Sequence, residues 1–242
     1  MQNEPKLKIF SDFDGTISLY DTWIEMGEFF INDKEKWAAV IKEFEEQKIG
    51  ARECFLRECA LVENFDITEF NRIIDAQRLD PMFGKFVEFC NKNNLPLTIL
   101  SEGMDYYIGR ILGNHGIDLP YFSNKLIISA DGRSIGLEFP YSDSDCTKCG
   151  TSKRNILMNM CGDDDISVFI GDGFSDACVV NYADVVFAKK SLASYCWKNN
   201  ITYYDYQTFG DIIRKLEKLL DSKSLKQRQA AKLKRREVFL RG

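Results

Sequence analysis

Short, largely apolar runs alternate along this chain with longer stretches whose apolar residues recur every three or four positions. Leu7-Lys8-Ile9-Phe10, Leu97-Thr98-Ile99-Leu100, Ile166-Ser167-Val168-Phe169-Ile170 and Val185-Val186-Phe187-Ala188 have the length and content of buried strands. Ile201-Thr202-Tyr203-Tyr204 predicts one more short strand. Asn124–Ile128 and Ser134–Phe139 predict a hairpin around the turn pair Asp131-Gly132. Helical spacing covers roughly 83–93, 104–113, 153–161, 175–182 and 209–220. Such alternation predicts an α/β fold, a parallel sheet with helices on both faces.

One stretch breaks the alternation. From Asp21 to about Gln77 four helical segments follow one another, near 21–31, 33–46, 50–62 and 66–78, with no strand between them. Trp23, Met26, Gly27 and Phe30 mark one apolar face, and Phe55, Cys59 and Val62 mark another. Four helices are too many for one crossover. The expected organisation is therefore an α/β core from 1–17 and 81–242, with a small helical cap, 18–80, inserted after strand 1.

Composition narrows the class. The 242 residues suffice for one sizeable core plus an insertion, and 45% hydrophobic with 29% charged is ordinary for a soluble globular protein. A formal net charge of −5 gives no reason to expect nucleic acid as a partner. Met1–Lys6 carries no apolar signal region, and no run approaches the roughly 18 apolar residues of a membrane span. The expectation is a cytoplasmic protein with no membrane partner, monomeric or homodimeric. Its eight scattered cysteines read as reduced thiols. Cys146-x-x-Cys149 has the spacing of half a zinc site, but with Cys161 the only nearby thiol, unpaired or redox-linked thiols are the better reading. The polar, basic segment from Lys223 onward reads as a solvated terminal helix or frayed tail.

The strand ends carry the candidate chemistry. Asp12-Phe13-Asp14-Gly15-Thr16 follows the first strand, Ser101 the second, and Gly171-Asp172-Gly173-Phe174-Ser175-Asp176 that of 166–170. In a parallel α/β sheet ligands bind at the carboxyl ends of strands, so these residues should converge. Asp12 can attack phosphorus, and Asp14, two positions on, can protonate a leaving alkoxide and then activate water. Gly15 allows a tight turn, and Thr16 offers a hydroxyl and an N–H to a phosphate oxygen. A carboxylate attacking an anionic phosphate needs positive charge beside it. Mg²⁺ fits, with Asp172 as a further ligand and Asp176 as ligand or support. Ser101 and Lys153 could hold the transferring phosphoryl group. Read one at a time, these residues are also common turn and helix-cap residues. Asp143-x-Asp145 and Asp163-x-Asp165, in polar loops, are assigned no chemistry.

In this order the residues resemble the haloacid dehalogenase superfamily, phosphoserine phosphatase-like subfamily. Asp12–Thr16 matches its first motif, Ser101 its second, Lys153 its third and Gly171–Asp176 its fourth, over roughly residues 7–190. The resemblance implies a Rossmannoid sheet with the helical insertion as cap, Asp12 as nucleophile and Asp14 as acid/base. It also implies Mg²⁺ held by Asp12, the Asp14 carbonyl and Asp172, with phosphate bound by Thr16, Ser101, Gly103 and Lys153. Glu102, which replaces a usual glycine, is counted with these substrate- and phosphate-binding residues, its carboxylate placed to crowd or tune the entrance. Having Asp14 implies a phosphatase rather than a dehalogenase, acting on a small phosphorylated metabolite. Ile99–Tyr107 and the Cys-rich stretch before Lys153 are similar to the phosphatases of methionine salvage, and also to phosphocholine/phosphoethanolamine phosphatases. Phosphoserine hydrolysis or phosphotransfer through the same intermediate are the alternatives. Asp21, Trp23, Arg57 and Glu58 are the candidates for the cap's inner face. Of these, Glu58 stands where phosphoserine phosphatases carry an arginine, a departure that weakens phosphoserine as substrate.

Overall fold

The computed structural model describes residues 6–143, 148–222 and 224–241. In chain order the elements begin β1 (Leu7–Ser11), α1 (Thr22–Phe30), α2 (Lys34–Glu45), α3 (Ala51–Ala60), α4 (Ile67–Asp75), α5 (Phe83–Lys92), β2 (Leu97–Met104) and α6 (Asp105–Asn114). They continue β3 (Tyr121–Ile128), β4 (Ile135–Glu138), α7 (Lys153–Met160), β5 (Ile166–Gly171), β6 (Val185–Ala188), α8 (Lys190–Lys198), β7 (Tyr204–Asp205), α9 (Phe209–Asp221) and α10 (Gln229–Arg241). Two compact units emerge: Met1–Ile17, Leu79–Leu100 and Lys153–Gly242 form one, and Ser18–Arg78 with Ser101–Ser152 the other. β2 begins in the first and ends in the second.

In the first unit the strands run in the order β2-β1-β5-β6-β7, all parallel. Ile9, Val168, Phe169, Ile170 and Phe187 are wholly buried, as expected of a parallel sheet covered on both faces. Register positions the site. β1 and β5 pair from Leu7 with Ile166 to Ser11 with Ile170, so they end level, and Gly171 pairs with Ala188 of β6. The loops after β1, β5 and β6 therefore leave the sheet side by side, around a strand flanked by β2 and β5, where the strand order changes direction.

Helix starts are fixed by polar side chains. Asp80 accepts from Met82 N at 2.8 Å at the start of α5 and from Phe209 N at 3.3 Å at the start of α9. Between those starts Phe83, Phe86 and Phe209 pack ring on ring. The segment after 223 forms the terminal helix expected, α10, but Arg235 on it is not solvated. Its guanidinium spans both oxygens of the buried Asp184, at 3.0 and 3.2 Å, and Ala231 is fully buried.

In the second unit α1, α2 and α4 start at Asp21, Asp33 and Asp66, each accepting from backbone N–H groups of the first turn. Glu58 of α3 is buried, and each of its oxygens accepts from one indole, Trp23 Nε1 and Trp37 Nε1, both at 2.9 Å. β3 and β4 form the expected hairpin, with Gly132 at φ +69° in its turn.

Three expected elements differ. Residues 175–182 form two 3-10 turns, Phe174–Asp176 and Val179–Asn181, because the Asp176 carboxylate folds back onto Asp172 N and Gly173 N. The strand expected at 201–204 shifts to Tyr204–Asp205, since Ile201 N is still bonded to Cys196 O at the end of α8. β2 runs on to Met104, every residue buried, so Ser101 lies inside the strand and not after it. Cys146 lies outside the described residues, and with it the reading of the Cys146/Cys149 pair.

Candidate active site

Asp12 follows the last residue of β1, and its N–H donates to Ile170 O at 2.9 Å, pinning it to the end of β5. The chain then turns: Thr16 N and Ile17 N both donate to Phe13 O, and Gly15 takes φ +72°. A Cβ at Gly15 would stand 2.4 Å from Asp172 Oδ2, so the first loop needs glycine both for its backbone and for its approach to the second. Gly171 is equally constrained, since a Cβ there would lie 2.2 Å from Asp176 Oδ2.

Lys153 opens α7, and its side chain is only 2% exposed. Its Nζ donates to Asp12 Oδ1 and to Asp176 Oδ1, each at 2.6 Å, with Ser175 Oγ at 3.5 Å. The other Asp176 oxygen accepts from Asp172 N and Gly173 N, so this carboxylate binds its own loop to Lys153. Asp172 takes a hydrogen bond from Thr16 Oγ1 at 3.3 Å and an ion pair from Lys190 Nζ at 2.8 Å. Asp14 is half-buried in the turn after Asp12.

Electrostatics here follow from burial. Desolvation, and then the neighbouring Asp176 charge, push the Asp12 carboxyl up to about 7 against the pull of Lys153. Burial also raises Asp176, again opposed by Lys153. Burial works to lower the Lys153 ammonium, but Asp12 and Asp176 outweigh it and hold that group above its ordinary value. The site thus holds more buried negative charge than its lysine balances. Carboxylate oxygens of Asp12, Asp172 and Asp176 lie within 4.8 Å of one another, an all-oxygen donor set that fits Mg²⁺.

Of the residues singled out from the sequence, Asp12, Asp14, Thr16, Lys153, Asp172 and Asp176 thus belong to one loop cluster of the first unit. Ser101, Glu102 and Gly103 belong to the second and are described within it. Ser101 is buried, and its Oγ accepts from Gly103 N at 2.8 Å. Glu102 is also buried; its Oε2 accepts from Gly150 N at 2.9 Å and Thr151 N at 3.2 Å, fixing the segment just before Lys153. Of the cap candidates, Asp21 and Glu58 are occupied as described above, and Arg57 is exposed, bonded to Glu53 and Glu43.

Two residues of the cluster were not found from the sequence. Lys190 reaches Asp172, and Tyr206 is buried with its hydroxyl donating to Gly171 O at 3.2 Å. Lys190 was legible in principle, because Lys189-Lys190 directly follows the apolar run 185–188. Tyr206 has no local signal; only the neighbouring position of β7 brings it there.

The sequence profile of the haloacid dehalogenase-like hydrolases matches residues 9–180, more than half of the chain. The chain belongs to that family. As a haloacid dehalogenase-like hydrolase it is also similar to proteins named 2-hydroxy-3-keto-5-methylthiopentenyl-1-phosphate phosphatase. One from Bacillus mycoides is 28% identical over 225 residues, covering 90% of this chain and 99% of the relative. Another, from Bacillus cereus, is 28% identical over 228 residues with the same coverage. Among solved structures, a phospho-aspartyl intermediate analogue of phosphoserine phosphatase superposes with a TM-score of 0.66 at 20% identity, covering 93% of this chain and all of that one. At that identity the likeness shows the fold alone, an α/β Rossmannoid sheet flanked by helices.

Proposed function

We propose that this hydrolase is a Mg²⁺-dependent phosphatase, cleaving a small phosphomonoester through an aspartyl-phosphate formed on Asp12. One observation carries the reading. Asp12 stands at the end of a central strand, bonded to a buried lysine and grouped with two further carboxylates. Asp12, Asp172 and the Asp14 main-chain carbonyl would hold the metal. Asp176, with both oxygens engaged by Lys153 and its own loop, supports that arrangement. Bound Mg²⁺ would supply the positive charge that lets a carboxylate approach an anionic phosphate.

A carboxylate oxygen of Asp12 attacks phosphorus as the ester P–O bond breaks, and Asp14 gives its proton to the departing alkoxide. Asp14, now ionised, takes a proton from water. That water attacks the phosphorus of the acyl phosphate, releasing inorganic phosphate and restoring the Asp12 carboxylate. Lys153 neutralises Asp12 and the phosphoryl oxygens throughout. Thr16, Ser101 and Gly103 are the proposed phosphate contacts, and residues 18–80 the substrate-selecting cap.

For substrate we favour a sugar-derived phosphate of the methionine-salvage type, on the names of relatives matched along 90% of the chain. Phosphoserine is the second reading and has less support. Glu58, which stands at the arginine position, is sealed between two tryptophans, and neighbouring Arg57 is taken up by Glu53 and Glu43. A screen of phosphorylated metabolites with and without Mg²⁺ tests the assignment, with acceptor alcohols added to detect phosphotransfer. Asp12→Asn should abolish turnover and leave the circular dichroism spectrum unchanged; turnover near the wild-type rate in that variant would end the nucleophile assignment.

A further inference from the structure

Lys190 is the one non-glycine member of the cluster in the left-handed backbone region, which lysine seldom adopts. Its φ is +47°, in the left-handed region, at the first residue of α8. Such a conformation is strained and persists only where the surroundings fix it. Here they do. Lys189 N donates to Gly171 O at 3.3 Å, Leu192 N to Asp172 O at 2.9 Å and Ser191 Oγ to the same oxygen at 3.3 Å. The turn from β6 into α8 is thus laced onto the backbone of 171–172. From it the Lys190 ammonium reaches Asp172 Oδ2 at 2.8 Å and Gly15 O at 3.4 Å. Gly15 is so close that a Cβ on it would also stand 3.2 Å from this nitrogen.

An ordinary surface ion pair needs no strained backbone and meets a single partner. Lys190 joins the loop after β1 to the loop after β5, and it does so through an oxygen of a proposed metal ligand. We infer that Lys190 is a positioning residue that shares Asp172 with the bound cation, weakening the hold on Mg²⁺ and strengthening the hold on the phosphate that follows.

Charge counting gives the direction. Fully ionised, Asp12, Asp172 and Asp176 carry three negative charges, and Lys153 and Lys190 return two; Asp14 and the half-buried Lys189, whose charge also acts on Asp172 and Asp12, offset one another. A divalent cation then leaves the pocket one positive charge with which to receive a phosphate. Removing Lys190 makes the empty pocket more negative and the metal-loaded pocket neutral. Mg²⁺ should bind more tightly and phosphate less tightly. The Lys190 side chain is 58% exposed, so solvent screens the effect, which should be about fivefold in each direction.

This inference rests on the Mg²⁺ reading of the site, and the experiment separates the two. Calorimetric titration of Mg²⁺ into the metal-free full-length protein would compare wild type with Lys190→Met and Lys190→Arg. Inorganic phosphate would then be titrated in saturating Mg²⁺. Lys190→Met should lower the Mg²⁺ Kd about fivefold and raise the phosphate Kd by a similar factor, whereas Lys190→Arg should match wild type in both. Unchanged or weaker Mg²⁺ binding by Lys190→Met, beside normal binding by wild type, overturns the inference alone. Wild-type protein that takes up no Mg²⁺ overturns the reading of the site and this inference with it.

Discussion

Lys153 Nζ and Asp12 Oδ1 lie 2.6 Å apart, with side chains only 2% and 6% exposed, and the same ammonium bonds Asp176. One lysine thus holds two buried carboxylates together. Replacing it with methionine keeps the volume and removes the charge, leaving both acids facing one another in a poor solvent. Breaking a buried pair in this way costs about 3–5 kcal/mol. Asp12 can relieve part of that by binding a proton, so Lys153→Met should destabilise less at pH 5.5 than at pH 8. Urea unfolding at the two pH values measures this, and equal penalties would contradict the shared-lysine account.

Proton linkage at the same residues predicts how metal-free protein responds to pH. Asp12 is raised from 3.8 to about 7 by burial and by Asp176, and Asp176 is raised as well. A folded-state value above the unfolded one means that the folded protein binds protons more tightly. The contribution is fully present below about pH 4 and is lost as pH rises toward 7. Without Mg²⁺ the melting temperature should therefore fall across that interval, and the fall should be shallower in Asp12→Asn. Adding Mg²⁺ at pH 7.5 should raise it, because an ion bound by the native state stabilises that state. Melting curves that track wild type in the asparagine variant would remove Asp12 as the source.

Much of this site could be read from the sequence because local rules and global topology agree there. An apolar run of strand length ending in Asp12, and another ending in Gly171-Asp172, can meet only in a parallel sheet, and the level register of β1 and β5 follows from that. What could not be read depends on partners remote in sequence. Glu58 gives no sign on its own helix that two indoles from other helices will close over it. Arg235 sits in a basic run that composition alone marks as solvated. The strained Lys190 backbone depends on bonds to Gly171 and Asp172 that no spacing rule encodes.

The Glu58 clamp makes its own prediction for the second unit. Burial raises the Glu58 carboxyl, opposed by hydrogen bonds from Trp37 and Trp23. Glutamine keeps the shape but replaces one acceptor oxygen with an NH₂ donor, which would face an indole N–H. One buried donor then loses its acceptor, at a cost of about 1–3 kcal/mol. Glu58→Gln should lower stability by that amount and shift tryptophan emission as one indole loses its partner. An unchanged denaturation midpoint would show that the two indoles do not depend on the carboxylate.

Arg235 turns the basic tail into part of the core. Its guanidinium meets both oxygens of Asp184, a carboxylate that also accepts from Ser167 N, Ser167 Oγ and Arg228 N. Lys232 is likewise occupied, with Gln227, and Lys234 with Asn181. Charges committed to the protein are poorly placed to neutralise phosphates, so the tail should give no salt-dependent nucleic-acid binding. Its substitution should instead read out as stability. Arg235→Ala removes the two-pronged cationic partner of a side-chain carboxylate that is fully buried, and should cost about 3 kcal/mol in urea unfolding. Arg235→Lys should recover only part, because a single ammonium cannot satisfy two oxygens as a planar fork does. A fully stable Arg235→Ala protein would mean that α10 is held by Ala231 and its apolar contacts alone.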